Sequence, residues 1–294
     1  MKCFTISLTI IFFFTAFLAS CSQQNTSTST SAINAGTPTS CIIGKWSDGY
    51  LPLALKMSSD FDSDYVKAIN GGDQFNPLEQ MANEWNTAAG RTLITTPFSA
   101  ATPHNYATTA EFKDNEIGIY KSYTWFPTVS HSALAITQFY GVVTSNAGLG
   151  QYISLTHADI IVNYYDYRNS FTMTNNPLIE FDLPTVVLHE MGHLLGLCHE
   201  TKKLSVMAPY YLTVQRTLQS YDADLIHDIY IDNAISALSV QNNNHNALSE
   251  PPGTEVKGII ELHADGKCIH YINGKKIFEH RVDASAFKRK NKLN

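Results

Sequence analysis

Residues 189–200, HEMGHLLGLCHE, constrain the fold more than any other part of the chain. His189 and His193 are four apart, so a helix here places both imidazoles on one face, within reach of one ion. Glu190 sits beside the first histidine, in the place of a general base. Gly196 follows where a helix can end through a left-handed turn. Such a turn carries His199 back towards the same ion. Three neutral imidazoles leave a fourth position open for water, the layout of a catalytic rather than a structural zinc site. The surroundings favour a helix: Val186, Val187, Leu188, Leu194 and Leu195 are apolar. Asp182 is a candidate N-cap, and Pro184 falls in the first turn, where its missing N–H is tolerated.

The longer pattern, HExxHxxGxxH followed by Ser205-Val206-Met207-Ala208-Pro209-Tyr210-Tyr211, resembles the signature of the metzincin metallopeptidases with a matrixin-like methionine turn. Leu218, Asp222, Ile226, Ile229 and Tyr230 resemble the closing helix of matrixin-like domains, over about residues 219–230. Residues 158–162 resemble the strand that precedes the active-site helix. The resemblance runs from about residue 42 to 231 and is strongest from 158 onward. It implies an α+β fold: a twisted mixed β-sheet, an active-site helix, a smaller part after His199 and a C-terminal helix. It implies one catalytic Zn²⁺ on His189, His193 and His199, with Glu190 as the catalytic base and Met207 as an apolar floor. Pro209 and Tyr211 would shape the pocket wall for the residue after the scissile bond, although Tyr211 also reads as an ordinary packed aromatic. In metzincins an edge strand pairs with extended substrate, and residues 141–155 are the candidate here. Glu200 departs from the usual matrixin residue and resembles the astacin branch.

The N-terminus reads as an export signal. Lys2 precedes a compact apolar run over residues 6–18, too short for a convincing membrane span. Leu18-Ala19-Ser20-Cys21 resembles the lipobox of bacterial lipoproteins, which implies cleavage before Cys21 and lipidation of its thiol. Ser22 in place of an aspartate favours the outer membrane in a host with two membranes. Residues 1–20 are then a signal peptide and 21–40 a Ser/Thr-rich tether. A formal net charge of −6 gives no nucleic-acid footprint. Of 5 cysteines, Cys41, Cys198 and Cys268 remain in the folded part, so one is left over from any pairing. Matrixins keep a zinc-blocking cysteine in a pro-domain. The surroundings of Cys41 do not match that motif, and a structural or disulfide role is expected for it.

The catalytic domain is expected over residues 41–240. Trp46, Leu51, Leu53, Leu55 and Met57 suggest a first strand. Residues 75–89 predict a helix with Asn76 as cap, Pro77 as first residue and Glu79 completing a capping box. Residues 91–96 and 117–120 are candidate strands. Residues 139–144 and 151–155 predict a hairpin, and 160–163 a central strand. His104, His131 and His157 lack the family's structural-zinc spacing and read as surface residues. A structural Ca²⁺ or a second Zn²⁺ is therefore not expected. Residues 241–252 read as a linker, 253–287 as a small β-unit with turns at Asp265-Gly266 and Asn273-Gly274, and 288–294 as a basic tail. The β-unit is expected to pack on the main domain, with substrate or partner binding as the other reading.

These readings converge on a zinc-dependent endopeptidase of the bacterial cell envelope or its surroundings. Its partners would be extended protein segments and a membrane reached through a lipid anchor. The sequence leaves open the oligomeric state, the substrate, and whether the role is envelope-protein turnover or attack on foreign proteins. The alternative is a catalytically silent, surface-anchored binding or adhesion protein on a metallopeptidase fold.

Overall fold

A computed structural model of the protein describes residues 43–62, 76–170, 180–200, 204–209, 211, 213–234, 250–264 and 267–281. The signal peptide, Cys21, the tether, Cys41, Tyr210, the Asp265-Gly266 turn and the basic tail lie outside the described residues. In chain order the elements are β1 (Gly44–Trp46), β2 (Lys56–Ser58), α1 (Pro77–Ala89), β3 (Ser99–Ala101), β4 (Gly118–Ser122), β5 (Ala133–Asn146) and β6 (Gly150–Asn163). Then come β7 (Asn169–Ser170), β8 (Phe181–Asp182), α2 (Leu183–Leu194), α3 (Ser220–His227), β9 (Glu255–His263), β10 (Lys267–Ile272) and β11 (Lys275–Arg281). A π-helical turn, Asp228–Asp232, extends α3. None of the described helices is long and apolar enough to cross a membrane.

The architecture is α+β on a mixed sheet, in the order β11-β10-β9-β5-β6-β4-β2-β3, with β1 beside β6. β4 and β1 run parallel to β6, on different parts of its length, whereas β5 runs antiparallel to it. Ile160 and Val162 enter the large core shared with the helices, while Ile161 and Ile136 enter a second cluster with Phe112, Tyr120 and Phe126. Successive residues of a strand face opposite sides, so the centre of β6 is covered on both. That explains its unbroken apolar run.

Helix α1 begins as its sequence dictates. Asn76 Oδ1 accepts from Leu78 N–H at 2.9 Å, and the helix ends on Gly90 at φ 66°. Leu78, Met81, Ala82, Trp85 and Ala89 form its buried stripe. The expected capping box does not form. Glu79 Oε1 instead accepts from Phe98 N–H at 2.9 Å, fastening the segment that enters β3.

The expected first strand breaks in two, β1 and β2. Between them Leu53 makes only an isolated bridge to Ile94, which is also all the pairing that residues 91–96 make. Pro52 has no N–H to give to a ladder, so alternation alone overstated the strand.

The larger correction concerns the substrate edge. The hairpin of β5 and β6 forms, but of the expected edge, residues 141–155, Gly141 and Val142 pair with β9 and residues 153–155 with β1, and β9 lies along the outer side of β5. Strand β9 pairs antiparallel with it from Ala133↔His263 to Val142↔Glu255. Gly258 lies beneath Phe139, and a Cβ there would stand 1.9 Å from the ring. The sequence displays a hairpin but not what covers its outer side, because that partner is distant in the chain. Strands β7 and β8 form a separate parallel pair. Among the described residues β7 pairs only with β8, and its other side is an edge consistent with a substrate groove.

Candidate metal centre

Helix α2 is fixed at both ends. Asp182 Oδ2 accepts from Thr185 N–H at 3.0 Å and from its hydroxyl at 2.6 Å. Arg216 donates to the same buried carboxylate from Nε at 3.1 Å and Nη2 at 2.6 Å. At the other end, Gly196 N–H donates to His193 C=O and Leu197 N–H to Gly192 C=O, both at 2.8 Å. This pattern is a Schellman turn. Gly196 has φ 91°, and a Cβ there would come 2.1 Å from Gly44 O. Two last-turn carbonyls find side-chain donors: the Trp46 indole N–H reaches Leu194 C=O at 2.7 Å, and the Tyr230 hydroxyl reaches Leu195 C=O at 2.8 Å.

That turn brings the three histidines together. His193 Nε2 lies 3.0 Å from both His189 Nε2 and His199 Nε2, and the remaining pair is 3.3 Å apart. His189 Nδ1 is 2.8 Å from Val206 C=O, and His193 Nδ1 is 2.9 Å from Leu197 C=O. A carbonyl can only accept, so each Nδ1 carries the proton and each Nε2 presents a lone pair. Lone pairs converging at this distance repel unless a cation lies among them. The donor set therefore fits a zinc ion, with the outer hydrogen bonds that orient metal-bound imidazoles. Burial agrees: it lowers the His189 pKa to about 4 and holds His193 well below the usual value, so both rings are neutral.

Below the site, Met207 is fully buried. A Cβ on Gly192 would meet its sulfur at 2.2 Å, so the methionine lies directly against the helix between the first two histidines. Its turn is held by Asp222, which accepts from the Ser205 hydroxyl at 2.5 Å, from Val206 N–H at 3.1 Å and from Gln219 N–H at 3.0 Å. Glu200 N–H donates to Met207 C=O at 2.9 Å, joining the turn to the extended segment that carries His199.

Glu190 is fully enclosed. Its Oε2 accepts from the Thr137 hydroxyl at 2.5 Å, whereas Oε1 is buried with no hydrogen-bond partner among the described residues. Burial pushes its carboxyl up to about 8, against the hydrogen bond from Thr137. A neighbouring cation would restore the charged, proton-accepting form.

A cavity of about 200 Å³ opens beside the centre, lined by His189, Val206, Ala208, Tyr211, Thr213 and, from β9, Leu262. The Tyr211 hydroxyl accepts from Asp182 N–H at 3.2 Å. Pro209 is buried but is not among the lining residues.

Strand β10 changes the metal inventory. His270 Nε2 lies 2.8 Å from His199 Nδ1, and Cys268 Sγ lies 3.4 Å from His199 Nε2. Two groups of donors could hold a metal, His189/His193/His199 and His199/Cys268/His270. The expectation of no second zinc is thus corrected: a second site sharing His199 is within reach. Cys268 and His270 come from a strand distant in sequence, so no local ligand spacing announces them. Their Cys-x-His alternation on one strand face was the available signal. Cys198 is disulfide-bonded and Cys268 is free. His157, expected at the surface, is buried: its Nε2 lies 2.7 Å from Asp159 and 2.9 Å from Phe112 C=O. Thr137, Arg216 and the turn-holding role of Asp222 also escaped the sequence reading.

The matrixin family model matches residues 147–231, which span β6, α2, the methionine turn and α3. Over these residues the chain is similar to the matrixins. Karilysin of Tannerella forsythia is 43% identical over 49 residues, 17% of this chain and 10% of that protein. Stromelysin-3 of Xenopus laevis is 44% identical over 48 residues, 16% and 10%. Metalloendoproteinase 2-MMP of Arabidopsis thaliana is 36% identical over 73 residues, 25% and 18%. Each match therefore covers less than a fifth of the relative's length.

Proposed function

We propose that this chain is a zinc-dependent endopeptidase that hydrolyses internal peptide bonds of extended protein segments. The observation that carries the reading is the convergence of three histidine Nε2 atoms beside Glu190, whose Oε1 has no hydrogen-bond partner among the described residues. His189, His193 and His199 would hold the ion, with Met207 as their apolar floor. Bound zinc supplies Lewis acidity, polarising a carbonyl oxygen and acidifying water. Glu190 takes the proton of the attacking water and returns it to the leaving amine. Thr137 holds the other carboxylate oxygen and so fixes which one faces the substrate. The cavity beside His189 receives the side chain after the scissile bond, with Tyr211 in its wall and Pro209 behind. The names of the matched relatives support a proteolytic role. The lipobox-like segment supports export and anchoring through Cys21, at the outer membrane or cell surface in a host with two membranes.

The test uses the full zinc-loaded chain in detergent beside Glu190→Ala. Both are incubated with a denatured-protein mixture, and new termini are read by mass spectrometry. New internal termini from the parent alone, abolished by chelation, are expected. Equal cleavage by Glu190→Ala would remove that residue from the chemistry. Absence of cleavage by every folded, metal-loaded form would favour a silent binding protein.

A further inference from the structure

The first two histidines of the centre take their orientation from backbone carbonyls. The third takes it from a side chain far along the chain. We propose that His270, on β10, is the positioning residue of His199: its Nε2 accepts the His199 Nδ1 proton and so aims the His199 Nε2 lone pair at the ion. This rests on the metal centre of the peptidase reading, but not on peptide cleavage.

Local structure creates the need for such a partner. His189 and His193 project from α2, and each Nδ1 donates to a carbonyl, that of Val206 or Leu197. His199 lies beyond the Gly196 turn and outside any helix. Its backbone is steadied next door, where Glu200 N–H donates to Met207 C=O, but that bond leaves the ring free to turn about its own side-chain bonds. The ring meets His270 Nε2, which stands 2.8 Å from His199 Nδ1 across 71 positions of sequence. The ring centroids are 4.8 Å apart and the planes 71° apart, so the two nitrogens meet between the rings rather than in a stack.

The direction of the bond follows from proton counting. A neutral imidazole has one N–H and one lone pair. His199 Nε2 faces the Nε2 atoms of His193 and His189 at 3.0 and 3.3 Å, where an ion requires its lone pair. The proton is therefore on Nδ1, and His270 Nε2 is its acceptor. Such an acceptor fixes the tautomer and orientation of a metal-bound imidazole and raises its basicity. His270 is buried, so bulk water does not compete for that proton.

Strand register gives independent support. His270 pairs with Ile260, and Ile260 pairs with Thr137. Residues paired across a sheet share a face. Thr137, in that same row, donates its hydroxyl to Glu190 Oε2. One row of three strands thus orients both the base and the third ligand, from points two strand spacings, or about 10 Å, apart.

The experiment uses the full chain, labelled with ¹⁵N-histidine and loaded with one equivalent of zinc. Nuclear magnetic resonance should show a protonated His199 Nδ1 with a scalar coupling across the hydrogen bond to His270 Nε2. Competition with a chromophoric chelator should show zinc affinity lowered at least about tenfold in His270→Leu. His270→Gln, whose amide oxygen can accept the same proton, should stay within about threefold of the parent. Absence of the coupling in the parent would overturn the proposal, as would equal losses of affinity in the two variants. So would a second equivalent of zinc that binds as tightly as the first and removes the Nδ1 proton, since His270 would then serve a separate ion. Should His270→Leu fail to fold, the coupling in the parent and the affinity of His270→Gln decide. Coupling and affinities as expected, with no cleavage of a denatured-protein mixture by the zinc form, would keep the role of His270 and reject the peptidase reading.

Discussion

Gly192→Ala isolates the contact between α2 and the methionine that lies against it. In an ordinary exposed helix interior this change stabilises by about 1 kcal/mol, because glycine there wastes backbone entropy. At residue 192 the new methyl would lie 2.2 Å from Met207 Sδ and 2.9 Å from Trp85 Cζ2. Ordinary contact needs roughly 3.5–4.0 Å, so the sulfur would have to retreat by about 1.5 Å. Met207 and Trp85 are both fully buried, so neither has open space to move into. Overpacking of this kind costs about 1–3 kcal/mol, which outweighs the helical gain and leaves a net loss of about 1 kcal/mol. Urea unfolding of the zinc-loaded chain would measure it, with a melting point lowered by about 2–4 °C per kcal/mol for a domain of this size. Repeating the change on a Met207→Ala background supplies the control. The cavity then accepts the methyl, and the loss should vanish, a coupling of at least about 1 kcal/mol. Stabilisation by Gly192→Ala in the parent, or equal effects on both backgrounds, would refute the floor contact.

Asp222→Ala should cost about 3 kcal/mol, since the Ser205 hydroxyl, Val206 N–H and Gln219 N–H all lose their acceptor. It should also weaken zinc binding, measured by competition with a chromophoric chelator, whereas Asp222→Asn should retain more of both. His157 predicts a pH effect away from the metal. Burial alone would lower its pKa, but the Asp159 carboxylate and the Phe112 carbonyl hold it above the ordinary 6.5. Protonation is thus favoured in the folded state, so its stabilisation is complete below pH 6.5 and is lost as pH rises through the raised value. Denaturant titrations at several pH values should show this decline in the parent and a flatter profile in His157→Gln. His199→Ala should lower zinc affinity severely, read by the same chelator competition, and unchanged affinity would remove it from the ligand set.

What the sequence disclosed and what it withheld follow one physical division. The histidine triad was legible because its geometry is local: a four-residue helical spacing and a glycine turn bring the ligands together within eleven residues, 189–199. Asn76 and Pro77 were legible for the same reason, since a cap acts within one turn. Glu79 failed that logic because a better donor, Phe98 N–H, came from outside the helix. The occupied side of β5, the thiol of Cys268 and the imidazole of His270 depend on pairing across more than a hundred residues. No periodicity encodes which strand a strand will meet. Asp222 lay between these limits: its place near a helix start was visible, but its service to the turn of Met207 was not.

The fastening of α2 at its last turn has a bearing on how this protein matures. The Leu194 and Leu195 carbonyls are held by Trp46 and Tyr230, which come from either side of α2 in sequence. A chain emerging from the ribosome presents all three histidines some thirty residues before Tyr230 is available. Until then the helix end lacks one of its two clasps, and the Gly196 turn that aims His199 is only half supported. Purified chains that end before Tyr230 should therefore bind zinc more weakly than the full chain in chelator competition.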